Sequence, residues 1–269
     1  MLFRSEARFV ERCSNNLEEI ILREGPETIT ALIAEPVMGV AGMIPPPERY
    51  FAAIRAVLQR HDILFHADEV YTGFFRTGPR FASDTFSAPP DLMTIGKALT
   101  SAYFPLSALV ISGEIYRVIE SQSSRQGVLA HGFTYGGHPT GCAVALETLR
   151  IYEEDQIVSR VRERATQFAS RMEKLNTHPL VGEVRGKGLL AGVELMNNAE
   201  ARARFEPKLK AGALCARIAE QHGLIVRAIG DTIAFCPPLI ISETEIEEML
   251  ARFRRALDDT ASELGLTRS

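Results

Sequence analysis

The chain has 269 residues, 46% hydrophobic and 24% charged, with 20 Gly and 14 Pro, a soluble globular usage that excludes disorder, collagen-like repeats and a membrane composition as its main state. At roughly 100 to 200 residues per domain it forms one large domain or two moderate ones. Its 30 basic and 34 acidic residues give a net charge of −4 with the signs mixed along the chain, so neither a nucleic acid nor an anionic membrane is expected as a partner.

The start, MLFRSEARFVERC, carries acidic residues and lacks the apolar stretch of a signal peptide. From Ser5 to Glu24 the residues Phe9, Cys13, Leu17, Ile20 and Ile21 recur at helical spacing, and Gly25-Pro26 ends the segment. Glutamates stand beside arginines on its polar face, which favours a helix packed on a core over a membrane anchor. TITALIAEPV, residues 28–37, reads as a buried strand, and residues 48–61 as a helix presenting Phe51, Ile54, Val57 and Leu58. ILFHADEV, residues 63–70, is strand-like again, so strand, helix and strand compose a parallel βαβ unit. Further strands are expected at residues 91–96 and 107–112, and helices at 139–150 and 156–175.

Near residue 155 this α/β run gives way to an α+β module. Residues 181–196 alternate around glycines like an antiparallel hairpin, and helices near 208–222 and 243–262 flank LIVRAI and TIAFCPP. The four cysteines, Cys13, Cys142, Cys215 and Cys236, form no Cys-x-x-Cys pair, which fits reduced thiols and a cytoplasmic location.

Functional groups of open α/β sheets gather at the carboxyl ends of parallel strands. Glu35, the Asp68-Glu69 pair and Lys97 all fall at such ends. A carboxylate after a run as apolar as ILFHA needs a cation or a donor. An amine desolvated at a strand end becomes a usable nucleophile. Asp68 and Lys97, 29 residues apart, therefore suit a carbonyl cofactor, the lysine forming a Schiff base and the carboxylate holding a pyridine nitrogen protonated. An ordinary salt bridge or two unrelated surface charges would satisfy the same spacing. HGFTYGGHP, residues 131–139, adds small residues and the Thr134 hydroxyl that suit an anion such as a phosphate. A metal held by His131 and His138, joined by His66 and Asp68, lacks a supporting His or Cys pair, and no metal is expected. The dinucleotide and P-loop fingerprints are missing from the sequence.

The segments AEPVMGVAGMIPPPERY, HADEVYTGFFRTG, DLMTIGKALTSAYFPLSA and HGFTYGGHPTGCAVALETL, in this order, resemble the class III pyridoxal-phosphate aminotransferases, the fold type I group of omega-amino acid, β-alanine:pyruvate and putrescine aminotransferases. EVRGKGLLAGVEL and GLIVRAIGDTIAFCPPLII extend the likeness over nearly the whole chain. The resemblance implies a partial fold type I large domain with a mostly parallel sheet, residues 1–154, followed by a smaller α+β C-terminal domain, residues 155–269. It implies that Lys97 is the Schiff-base lysine and proton carrier, that Asp68 pairs with the pyridinium nitrogen, and that Val70 packs on one ring face. Thr134 would bind the cofactor phosphate of a neighbouring subunit, making a homodimer. Arg227 would pair with a substrate carboxylate, with an ordinary solvated surface arginine as the alternative, and Glu35 would orient its neighbours or make a structural polar contact. The expected activity moves an amino group from an omega-amine or amino acid to a 2-oxo acid such as pyruvate. An aminomutase of the same fold and a non-catalytic remnant are the alternatives.

Two positions depart from the family pattern. Val40 stands where relatives acting on ornithine or γ-aminobutyrate carry a glutamate, which favours the amine and β-alanine branch, and Phe75 replaces a usual glycine. The resemblance also implies an N-terminal portion with a Gly-Ser phosphate loop, a ring-stacking aromatic residue and several strands. None is identifiable in these 269 residues, so the sequence reads as a fragment, a truncated gene model or a degenerate copy.

Overall fold

The computed structural model describes residues 5–199 and 201–266, so the first four residues of the start segment lie outside the described residues. The chain divides into two compact units. One takes the described residues of Met1–Pro36, Pro46–Phe74 and Pro79–Asp155; the other takes those of Val37–Pro45, Phe75–Gly78 and Gln156–Ser269. Two short stretches of the first half thus cluster with the second.

In the first unit, α1 (Glu6–Glu24) starts at Ser5, whose hydroxyl accepts from the Arg8 amide, and stops at Gly25, whose φ of 89° a glycine adopts without strain. β1 (Ala31–Ala34), α2 (Tyr50–Arg60) and β2 (Leu64–Asp68) form the expected βαβ unit, followed by the one-turn α3 (Ala82–Thr85) and β3 (Leu92–Ile95). β4 (Ala108–Ile111) closes a sheet ordered β1-β2-β3-β4, in which β1, β2 and β3 are parallel and β4 runs antiparallel to β3. α4 (Gly113–Gln126) and α5 (Pro139–Glu154) complete the unit.

The two faces of this sheet differ. Leu32, Ala34, Phe65 and Ala67 pack on Ile21, Phe51, Ile54, Val57 and Leu58 of α1 and α2. Alternation turns Ala31, Ile33, His66 and Asp68 the other way, and there Ile33 is 61% exposed while His66 and Asp68 are half-buried. The sequence expectation of a buried first strand is therefore corrected: β1 is covered on one face only, although parallel sheets are ordinarily covered on both. α4 has no counterpart among the sequence expectations. It buries none of its residues and exposes Tyr116 and Val118, although Ile115, Val118 and Ile119 recur at helical spacing. The cap at Ser112, accepting from the Ile115 amide, was a second legible signal.

In the second unit, α6 (Ile157–Glu173) precedes the antiparallel hairpin of β5 (Val181–Lys187) and β6 (Leu190–Leu195). α7 (Ala211–Gln221), β7 (Arg227–Ile229), β8 (Thr232–Phe235) and α8 (Glu243–Glu263) follow, and the sheet order is β5-β6-β8-β7. Val193, Ile233 and Phe235 are buried, with the Phe235 ring 4.8 Å from Phe253 of α8. A capping box starts α8: Ser242 accepts from the Glu245 amide and Glu245 returns the bond. On the sheet's other face Arg185 donates to the Gly42 carbonyl at 3.0 Å, to Glu194 at 2.6 Å and to Thr232 at 3.3 Å, tying down the 37–45 loop. No helix of the described residues is long and apolar enough to cross a membrane.

Cys215 is fully buried in α7, and desolvation pushes its thiol up to about 11 against a weaker lowering by Thr260. Cys142 and Cys236 are exposed. Titration of the native chain with a thiol reagent at neutral pH should modify Cys142 and Cys236 quickly and Cys215 only after unfolding. Fast modification of Cys215 in the folded chain would contradict the packing of α7.

Candidate active site

The parallel register sets the candidate residues side by side. Ala34 of β1 pairs with Ala67 of β2, and Asp68 pairs with Thr94 of β3. Glu35, Asp68 and Thr94 therefore follow one row across three adjacent strand ends, about one strand spacing of 4.8 Å apart. Lys97 comes three residues beyond Thr94.

The backbone at Lys97 is unusual. After Gly96, extended at φ −172°, Lys97 takes φ +43° in the left-handed region and opens a single 3-10 turn, Lys97–Leu99. A non-glycine residue there costs roughly 1–2 kcal/mol, and such residues persist only where their surroundings over-determine them. Here Thr100 and Ala102 both donate their amides to the Lys97 carbonyl. The Tyr152 hydroxyl, from α5, donates to the Ala98 carbonyl at 2.7 Å. The sequence expectation of a desolvated strand-end lysine is corrected: the Lys97 amine is exposed, 5.2 Å from the Tyr71 ring centroid, a cation–π distance. A Cβ on Gly96 would lie 3.7 Å from Val70 Cγ1, which places Val70 against the Gly96–Lys97 turn.

Asp68 and Glu69, adjacent in sequence, part ways. Asp68 is half-buried and accepts the Val70 amide at 3.0 Å on Oδ1. Glu69 is wholly buried and takes the amides of Ala82 and Ser83 at 3.1 and 2.6 Å, with the Thr72 hydroxyl as a third donor. On the Asp68 face His66 Nε2 meets Thr94 Oγ1 at 2.6 Å. The other histidines weighed for a metal stand against aromatic rings, His138 stacked on Phe104 and His131 edge-on to Phe133. Among the described residues no group of three or more His, Cys, Asp or Glu side chains converges as for a metal.

Thr134 lies on a wholly exposed loop before α5, between Phe133 at 80% and Tyr135 at 78% exposure. Arg227 belongs to the second unit. Registers there align Arg185, Gly192, Ala234 and Arg227 in one row of the sheet, so Arg227 shares a face with Arg185 across a floor of two small residues. Arg185 is saturated with partners, whereas the side chain of exposed Arg227 makes no hydrogen bond or ion pair among the described residues.

Residues 2–257 match the family described as aminotransferase class-III. The chain belongs to the class-III aminotransferases. It is 46% identical over 256 residues to gamma aminobutyrate transaminase 3, chloroplastic, of Solanum lycopersicum, covering 95% of this chain and 49% of that protein. It is likewise 46% identical to a probable gamma-aminobutyrate transaminase 3, mitochondrial, of Oryza sativa subsp. indica, covering 95% of this chain and 50% of the relative. A solved omega transaminase from Pseudomonas jessenii in complex with PMP superposes with a TM-score of 0.96 at 44% identity, covering all of this chain and 59% of that one. The chain thus spans about half the length of the relatives it matches.

The residues of this class-III aminotransferase chain fit pyridoxal phosphate chemically. Lys97 presents an accessible amine, and Asp68 has acceptor capacity beyond its one backbone bond. Phe75, the departure from glycine, adopts φ +70°, the conformation glycine takes freely, and is only 7% exposed. Burial of the ring offsets the backbone cost. Sequence reasoning missed Tyr71, Tyr152, Thr94 and the carboxylate role of Glu69. Each acts through a tertiary contact that no local spacing signals.

Proposed function

We propose that the chain is the lysine-bearing part of a pyridoxal-phosphate-dependent aminotransferase, moving an amino group from an omega-amine or amino acid to a 2-oxo acid such as pyruvate. One observation carries this reading: Asp68 and the left-handed Lys97 stand at the ends of adjacent parallel strands. In the two-domain proposal, residues 1–154 hold the cofactor and 155–269 supply the substrate arginine.

When bound, the cofactor supplies an aldehyde carbon and an electron-withdrawing ring that stabilises a carbanion. Lys97, with its accessible amine, would be the residue that holds the cofactor. With its amine free, Lys97 Nζ would serve as the base that takes up and returns a proton beside the substrate carbon. Asp68 keeps a proton on the ring nitrogen, Val70 packs on the ring face, and Glu35 orients the row beside Asp68. Thr134 offers its exposed hydroxyl to the phosphate held by a neighbouring subunit, which makes the homodimer the working unit. Arg227, its side chain unpartnered among the described residues, grips a substrate carboxylate through its planar fork.

The relatives named gamma-aminobutyrate transaminases put that compound among the donors to be tried, beside β-alanine and plain amines. Val40, exposed on the loop that Arg185 holds, leaves no carboxylate at that position to neutralise an arginine. The test is amino transfer by the chain completed with the unmatched portion of a relative, run with and without pyruvate. Turnover only with pyruvate supports the reading; product without any acceptor would favour an aminomutase.

In the same completed chain, Arg227→Ala should lower kcat/KM for carboxylate-bearing donors by about 10- to 150-fold, the worth of a charge-assisted pair of about 1.5–3 kcal/mol. Plain amines should change little. Equal losses for both substrate classes would show that Arg227 only supports the sheet.

A further inference from the structure

We propose that Glu69 is the positioning residue of the Asp68–Lys97 pair, a buried carboxylate clasp that fixes the turn carrying Asp68, Val70 and Tyr71. Every polar group of Glu69 is engaged. Its amide continues the sheet by donating to the Thr94 carbonyl at 2.9 Å, and its carbonyl accepts the Gly73 amide at 2.9 Å. Its carboxylate takes the Ala82 and Ser83 amides and the Thr72 hydroxyl. The side chain has no exposure to solvent, and a buried carboxylate is tolerated only when so bonded.

The placement gives the clasp its consequence. Glu69 sits between Asp68, whose Oδ1 takes the Val70 amide, and Tyr71, whose ring lies under the Lys97 amine. Thr94, whose carbonyl receives the Glu69 amide, is the partner of Asp68 in the strand register. The turn closes so tightly that a Cβ on Gly73 would lie 2.8 Å from the Glu69 carbonyl oxygen. The clasp, rather than the strand alone, therefore holds the turn that carries the Asp68 carboxylate and the Tyr71 ring lying against the lysine. Glu69→Asp, one methylene shorter, would not span from the end of β2 to the amides of Ala82 and Ser83.

The inference rests on the proposed cofactor role of Asp68 and Lys97, but its test needs no cofactor. The full chain is reductively methylated with 13C-formaldehyde, and the Lys97 resonance is followed for the ring-current shift from Tyr71. The Val70 amide is followed through acid titration, where a carboxylate-bonded amide reports its carboxylate. In Glu69→Ala, with the β2 amides of Phe65 and Ala67 still protected from exchange as a sign that this unit is folded, the Lys97 resonance should fall to the position of the free-surface lysines and the Val70 titration shift should largely vanish. If both signals persist and only the Ala82 and Ser83 amides lose exchange protection, Glu69 is a structural cap and the proposal is overturned. Should Glu69→Ala fail to fold, Thr72→Val and Glu69→Gln decide: a partial move of both signals in the same direction supports the clasp, and unchanged signals overturn it. Failure of wild-type Lys97 to take a pyridoxyl label would instead sink the cofactor reading, leaving these signals interpretable.

Discussion

Expressed as these 269 residues, passed through gel filtration and assayed, the chain will retain a small fraction of an equivalent of pyridoxal phosphate and show little amine-to-pyruvate turnover. It carries the proposed cofactor residues Lys97, Asp68, Val70 and Thr134, yet it spans about half the length of its relatives. The phosphate loop and ring-stacking aromatic that the family resemblance implies are not identifiable among its residues. Without them a phosphate dianion lacks amide donors and the ring has one packing face. The sheet carries the same message physically: Ile33 and Leu109 are 61% and 56% exposed on strands that ought to be interior, and β1 and β4 are both open edges. Such surfaces favour association, so light scattering should reveal oligomers that dissolve when the unmatched portion of a relative is co-expressed. Stoichiometric cofactor retention with brisk turnover by the chain alone would refute this.

Lys97→Ala will have the largest effect of any single substitution. In the completed chain it removes the proposed covalent anchor and proton carrier, and general-base loss alone lowers turnover by about 10²- to 10⁴-fold. Lys97→Arg should be equally inactive, because a guanidinium stays protonated and cannot act as base or nucleophile at working pH. The two variants should melt within a few degrees of the wild type, since Lys97 is exposed and its turn is held by Ala98, Thr100 and Ala102 backbone groups. Relief of the left-handed strain by Lys97→Gly would raise stability while abolishing activity. Retained turnover in Lys97→Ala would move the chemistry elsewhere.

Much of the architecture could be read from one-dimensional patterns. Helical spacing placed Phe51, Ile54, Val57 and Leu58 on one buried face, and glycine-broken alternation marked the hairpin of β5 and β6. Strand ends marked by charge located Glu35, Asp68 and Lys97 before any coordinates did. What escaped was whatever depends on distant contacts or on surfaces without a core. The short stripe of Ile115, Val118 and Ile119 in α4 was passed over, and the helix buries nothing in the structure. The antiparallel β4 differs from a parallel strand only in its pairing. β1 is apolar enough to read as interior, and only the structure shows that one of its faces is bare. The neighbouring carboxylates Asp68 and Glu69 look equivalent in the sequence; burial and three donors separate them.

The most direct test of the Asp68–Lys97 site is to incubate the 269-residue chain with excess pyridoxal phosphate, reduce with borohydride and map the labelled peptide. Trapping captures a covalent link even where retention is weak, so it does not depend on the second packing face of the ring. The label is expected on Lys97, lost in Lys97→Ala and diminished in Asp68→Asn. A label distributed over Lys187, Lys208 and other surface lysines, with no preference for Lys97, would contradict the assignment.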